Sequence, residues 1–229
     1  MNTPHDATKR IKPQPGKPAP GKLVLVRHTE SEWNALGKWT GRTDVHLTAK
    51  GREEAATIGK LLQDITLHHT YTSEQIRTFE TLTHLLQAAG QQPVPHEKSA
   101  HLNERDYGEY TGLNKWEVLE QLGDATFTAI RRGWDHPIPG GETMKMVHER
   151  AVPFYKNHIL PQLITGKNVL VISHGNTIRA LIKYLEDISD DAIAEVEMPF
   201  GRILLYEVTT AGKHYSKESR QAHIKPAHA

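Results

Sequence analysis

Two runs that are aliphatic at every position, Leu23 to Val26 (LVLV) and Val169 to Ile172 (VLVI), constrain this chain more than any other feature. Successive side chains of a strand point to opposite faces. A run with no polar alternation is therefore buried on both faces, as in a parallel sheet covered by helices above and below. The intervening segments carry helical periodicity. Thr48 reads as an N-cap, after which Ala55, Ile58, Leu61 and Leu62 share one helical face. Ile76, Phe79, Leu82, Leu85 and Leu86 form a second stripe, closed by Gly90. A strand is expected to end near Tyr71 and a short one to run from Val94 to Glu97. Helices follow near 114–122, 124–132 and 143–163, the last bent at Pro153 or Pro161. A strand over 168–173, a helix over 174–186 and a strand over 203–208 complete the series. The fold class is α/β, a mostly parallel sheet with helices on both faces in a single domain, which the length of 229 residues accommodates.

Outside this body the composition changes. Five prolines fall within residues 1–21, which read as a flexible Pro/Lys-rich tail, and residues 211–229 read as a second flexible basic tail. Each tail carries a net +3, so residues 22–210, the body of the chain, hold −5 of its total of +1. An acidic body argues against a nucleic-acid platform, and an anion site must be a local exception. Aliphatic runs this short fall far below the roughly 18 residues of a membrane span. The first residues lack the apolar stretch of a secretory signal, and the absence of cysteine removes disulfides and thiol chemistry. A cytoplasmic location is expected.

The chemistry is expected at the carboxyl ends of the strands, where open α/β sheets place their ligands. Arg27-His28 follows the first aliphatic run directly, and His174-Gly175-Asn176 follows the strand that contains the second. A fixed guanidinium beside one histidine, and backbone N–H groups at a helix start beside the other, describe a phosphate pocket. A neutral imidazole there can attack phosphorus while the cations offset charge on the equatorial oxygens. No metal is called for. His148-Glu149 lacks a second histidine at the H-E-x-x-H spacing, because Val152 stands there.

From Lys22 to about Val208 the chain resembles the histidine phosphatase superfamily and, within it, the phosphoglycerate mutases that depend on 2,3-bisphosphoglycerate. The stretches that carry the likeness are LVLVRHTESEWN, WTGRTDVHLT, YTSEQIRT, LNERDYGEYTGLNK, IRRG, SHGNTIRALIKYLE and MPFGRILLYEV, in the family's order. The resemblance implies that His28 is the phosphorylated nucleophile, with Arg27, Arg77 and His174 around the transferred group and Asn34 and Gly175 completing the cradle. It implies that Glu104 carries the proton. Tyr107, Lys115, Arg131, Arg132 and Asn176 would hold the rest of the substrate, and Thr40-Gly41 its carboxylate. The implied reaction interconverts 3-phosphoglycerate and 2-phosphoglycerate, a step of glycolysis and gluconeogenesis, primed by 2,3-bisphosphoglycerate. Small phosphoglycerates would be the partners, with no nucleic acid or membrane involved and a homo-oligomer left open.

Three positions depart from the family's pattern. Thr29 stands where glycine is commoner, which would crowd the phosphate if the backbone there needed a positive φ. Arg42 replaces a usual tryptophan. The segment Gly133 to Thr143 (GWDHPIPGGET) is short, which implies a reduced lid and easier access of water to phosphohistidine. A histidine-type phosphatase acting on phosphate monoesters is the alternative reading.

Overall fold

The two aliphatic runs lie side by side at the centre of one sheet. In the computed structural model, which describes residues 20–91 and 93–224, β1 (Gly21–Arg27) and β4 (Val169–Ser173) pair in parallel from Leu23 opposite Val169 to Arg27 opposite Ser173. The remaining strands are β2 (His69–Thr72), β3 (His96–Lys98), β5 (Arg202–Val208) and β6 (His214–Gln221), in the sheet order β3-β2-β4-β1-β5-β6. The first four strands are mutually parallel, whereas β5 runs antiparallel to β1 and β6 antiparallel to β5.

Helices cover both faces. They are α1 (Glu32–Ala35), α2 (Ala49–Lys60), α3 (Ile76–Ala89), α4 (Lys115–Arg132), α5 (Met144–Phe154), α6 (Leu160–Ile164) and α7 (Gly175–Leu185). Leu23, Leu25, Val169 and Val171 pack with Ala151, Ile178 and Leu181 of α5 and α7, while Val24, Val26, Leu170 and Ile172 pack with Ile58, Leu82 and Leu85 of α2 and α3. Each such side chain taken fully out of water contributes about 1.5–3 kcal/mol, which explains why both runs are apolar throughout. No helix among the described residues is long and apolar enough to cross a membrane.

Local signals hold where the expectation rested on them. Thr48 Oγ1 accepts the Gly51 N–H at 3.0 Å to cap α2, and Gly90 ends α3 with φ of +69°. α4 is broken at Gly123, whose φ of +75° and ψ of 163° lie outside any helix, so its two halves match the two expected segments. The long helical stretch after Thr143 continues from α5, which contains Pro153, through one π-helical turn at Tyr155–Ile159 into α6.

Three expectations need correction. Phe79 is 36% exposed and packs against His96 and Lys98 instead of the core, because the inner face of α3 is occupied at its start by Arg77, Thr78 and Thr81. The short strand lies at His96–Lys98, slightly beyond Val94 to Glu97. The segment after Gly212 is no flexible tail as far as the described residues run: β6 pairs with β5 along its length. Its polar sequence, HYSKESRQ, suits an edge strand, where charge discourages pairing with other chains. Arg220 ties it to α2's end through Asp64 at 2.7 Å and the Leu61 carbonyl. The N-terminal tail lies outside the described residues up to residue 19, as do residues 225–229.

Truncation after Gly212 should therefore destabilise the domain by at least about 2 kcal/mol, or roughly 4–8 °C in unfolding midpoint. Thermal unfolding of the truncated and full chains measures this, and equal midpoints would restore the flexible-tail reading.

Candidate active site

Because β1, β2 and β4 are parallel, the residues that leave them emerge along one edge. His28 extends the pairing of β1 by one step, donating its backbone N–H to Ser173 O at 2.9 Å, and His174 begins the turn into α7. The two imidazoles lie 4.9 Å apart, centroid to centroid, and both are buried. His28 Nδ1 is 2.8 Å from the carbonyl oxygen of its neighbour Thr29. A carbonyl only accepts, so Nδ1 carries the proton and Nε2 keeps its lone pair. Burial, and then the cations of Arg77 and Arg27, hold the pKa of His28 well below the usual histidine value, and the neutral imidazole prevails at pH 7. His174 is likewise held well down by burial and by Arg77; its Nε2 meets Ser73 Oγ at 2.8 Å.

Thr29 does not crowd this turn. Among the described non-glycine residues only Asp187 has a positive φ, and the buried Thr29 side chain turns to Thr81 Oγ1 at 3.4 Å.

The surrounding cations are held by carbonyl oxygens. Arg77, fully buried, donates to Thr43 O at 2.9 Å and Gly41 O at 3.0 Å, and burial pushes its pKa down to about 10, against the opposing charge of Glu104. Arg27 donates to Met198 O at 3.3 Å. None of the ion pairs among the described residues involves Arg27, Arg77, Lys115, Arg131 or Arg179. Buried charge without a counter-charge is costly, and here it leaves a site that an anion would stabilise. Arg27 Nε, Arg77 Nε, His174 Nδ1 and Thr40 Oγ1 are buried polar atoms without a partner, a donor-rich set that fits phosphate and carboxylate oxygens.

Beside Arg27 and Gly175, the neighbours of the two histidines, opens a cavity of about 330 Å³, of a size for a small molecule; His28, His174 and Arg77 are not among its lining residues. Arg27, Glu104, Tyr107, Lys115, Arg131, Arg132, Gly175 and Asn176 line it, so eight of the residues singled out in the sequence share one wall. Glu104 Oε1 accepts from the Arg105 N–H at 2.8 Å and from Asn176 Nδ2 at 3.3 Å, and Oε2 takes part in neither bond. Asn176 Nδ2 also donates to the Tyr107 hydroxyl at 2.8 Å, freeing that hydroxyl's own proton for a ligand. Burial and the cations Arg27 and Arg131 push the Lys115 pKa down to about 8.

Asn34 and Thr40-Gly41 are not in the cavity lining. Asn34 Oδ1 accepts from Ser31 Oγ at 2.8 Å and Ser31 N at 3.2 Å, closing the first turn of α1. The Gly41 carbonyl instead receives Arg77, so this loop acts on the site through that guanidinium. Residues 133–143 do not line the cavity either. Arg42 donates to Glu142 at 2.8 Å, and Glu142 accepts further from Arg150 and from the Asp106 N–H, so the segment is docked beside the site.

Arg179 lines the cavity and had no sequence signal beyond standing three residues after Asn176 on α7. Its NH1 donates to Asn176 Oδ1 at 2.9 Å, which fixes the amide so that Nδ2 faces Glu104 and Tyr107. Trp39, Glu197, Met198 and Phe200 were also missed as wall residues, since only the return of distant loops brings them there.

The depressed histidines have a consequence for stability. The unfolded chain takes up protons at His28 and His174 below about pH 6.5 while the folded chain does not, so stability falls on acidification through that window and is regained as pH rises above it. Replacing His28 by Gln should remove up to one proton, about 1.4 kcal/mol per pH unit, from the slope of unfolding free energy against pH below that value. Denaturant titrations between pH 5 and 7 read the slope; identical slopes would mean that His28 is protonated in the fold.

Residues 23–219 match the histidine phosphatase superfamily (branch 1). A protein of Corynebacterium diphtheriae named 2,3-bisphosphoglycerate-dependent phosphoglycerate mutase is 41% identical over 217 residues, 84% of this chain and 88% of that protein. A protein of the same name from Enterococcus faecalis is 40% identical over 225 residues, 85% of this chain and 99% of its own. Among solved structures, Bacillus stearothermophilus YhfR superposes with a TM-score of 0.76 at 25% identity, covering 90% of this chain and 98% of its own. A mycobacterial glucosyl-3-phosphoglycerate phosphatase, 20% identical, shares the fold with a TM-score of 0.72 over 88% of this chain and 96% of its own. With the match spanning nearly all the described residues, the chain belongs to the histidine phosphatase superfamily, branch 1.

Proposed function

We propose that this protein interconverts 3-phosphoglycerate and 2-phosphoglycerate through a phosphohistidine at His28, primed by 2,3-bisphosphoglycerate. One observation carries the reading: Lys115, Arg131 and Arg132 share a cavity with Arg27 and Glu104, so a second set of cations stands apart from those packed around His28. A small monoester needs only one such set. A substrate with a carboxylate and one or two phosphates uses both. The relatives named above support the same reaction.

The steps follow from the chain's own groups. Nε2 of His28 attacks phosphorus, the bond to the departing oxygen breaks, and Glu104 Oε2 supplies the proton that oxygen needs. In the return step Glu104 takes the proton of the acceptor hydroxyl, which attacks phosphorus as the N–P bond breaks and its electron pair returns to Nε2. Arg27, Arg77 and His174 hold the phosphoryl oxygens, while Tyr107, Lys115, Arg131 and Arg132 orient the remainder. Asn34 and Thr40-Gly41 shape the surrounding turns, and Gly175 and Asn176 offer the N-terminal edge of α7. The protein's solvent is taken to be the cytoplasm.

A phosphatase reading keeps one observation in its favour: residues 133–143 leave the cavity uncovered. Incubation with 3-phosphoglycerate and a trace of 2,3-bisphosphoglycerate separates the two. The mutase reading expects 2-phosphoglycerate in large excess over inorganic phosphate, with acid-labile phosphate mapping to His28; inorganic phosphate as the main product, or label at Ser31 or His174, would reject it.

The two sets of cations also respond differently to mutation. Replacing Arg131 and Arg132 together by Ala should lower mutase turnover far more than hydrolysis of a small artificial monoester, because charge-assisted bonds of roughly 1.5–3 kcal/mol each are lost only for substrates that reach them. Steady-state rates on both substrates give the ratio, and equal losses would assign the pair to the transferred phosphate or to structure.

A further inference from the structure

Part of the cavity wall is formed by the return of the chain into β5, from Val196 to Phe200. It is tied down at two points: Arg27 donates to Met198 O at 3.3 Å, and Arg132 pairs with Glu197 at 2.7 Å. Gly201, with φ of +78°, then turns the chain so that Ile203 enters the core while Phe200 stays at the cavity. The Phe200 ring lies 3.9 Å from the Arg27 guanidinium carbon and meets the His28 ring edge-on at 6.1 Å.

The short segment 133–143, from which a reduced lid is expected, is engaged elsewhere. The Glu109 N–H donates to Pro139 O at 3.0 Å and the Glu142 N–H to Asp106 O at 2.9 Å, so residues 138–142 are bound to the chain around Gly108. Water exclusion at His28 therefore falls to another group.

We infer that Phe200 is the residue that sets transfer against hydrolysis at phospho-His28, by covering the nucleophile and Arg27 with an aromatic ring where the 133–143 segment provides no cover. The inference rests on the reading of His28 as the phosphorylated group. Water and a phosphoglycerate hydroxyl compete for the same step: either oxygen bonds to phosphorus, the N–P bond breaks with its electron pair returning to Nε2, and Glu104 takes the proton. Only access distinguishes them. Phosphoglycerate is drawn in by Lys115, Arg131 and Arg132, whereas water needs an unfilled space beside His28.

The test uses the full chain and its Phe200→Ala and Phe200→Leu variants, phosphorylated with labelled 2,3-bisphosphoglycerate and freed of excess donor. The half-life of phospho-His28 in buffer is then followed, with and without added 3-phosphoglycerate. The Ala variant should lose its label about tenfold faster than the unmodified protein, with the Leu variant between them and a rise in inorganic phosphate per 2-phosphoglycerate formed. Equal half-lives in all three proteins, or faster loss in the Leu than in the Ala variant, would overturn the inference. Thermal unfolding shows whether each variant is folded; a half-buried ring is not a core member, and the Leu variant retains most of its bulk. If the unmodified phosphoprotein yields only inorganic phosphate when 3-phosphoglycerate is added, the mutase reading fails, while the ratio of half-lives still judges Phe200.

Discussion

The parallel pairing of β1 with β4 is the constraint on which the rest of the molecule depends. Both strands are buried on both faces, and a slip of one residue would exchange every side chain between the α2–α3 layer and the α5–α7 layer. That locked register delivers His28 to the Ser173 carbonyl and sets its ring 4.9 Å from His174. The next helix starts at Gly175 beside Arg27, whose guanidinium lies 3.7 Å, an ordinary van der Waals distance, from the position a Cβ would take there. His28, its companion His174 and a helix N-terminus are thus placed by the packing and hydrogen-bonded register of the two central strands.

Charge is then added at a cost that backbone carbonyls offset in part. Arg77 is received by Gly41 and Thr43. Arg105 donates to the carbonyls of Ile130 and Arg131, and Arg179 to those of Arg132 and Ile193. Carbonyl dipoles solvate a guanidinium without neutralising it, which keeps the positive potential available to a ligand. A carboxylate partner would compete with that ligand. The same two arginines satisfy the terminal carbonyls of α4, where cations are favoured by the helix dipole, and so steady the turn from which Arg131 and Arg132 project.

The fold and the centre of the site were legible to the extent that the signals were local. Uninterrupted aliphatic runs located β1 and β4, a threonine cap located the start of α2, and Gly90 and Gly123 located breaks. Adjacency in sequence marked Arg27 with His28 and His174 with Gly175. Phe79 misled because its place in an apolar stripe looked sound, while the polar residues Arg77, Thr78 and Thr81 claim the buried face for reasons of the site. Strand β6 escaped notice because an edge strand needs little apolar content once a neighbour supplies the hydrogen bonds. For Asn34 the side-chain oxygen accepts from Ser31 at the start of its own helix, a local contact that its motif did not announce.

What the sequence by itself determined is the alternation of strands and helices and the identity of the two histidines at strand ends, since periodicity, capping and φ preferences act over a few residues. What only the tertiary structure decided is which distant groups complete the site. Arg42 meets Glu142, Arg132 meets Glu197, and Phe200 comes to rest on Arg27 across long loops of chain. Such contacts leave no periodic trace in the sequence, because each depends on where the packed sheet and helices carry the ends of those loops.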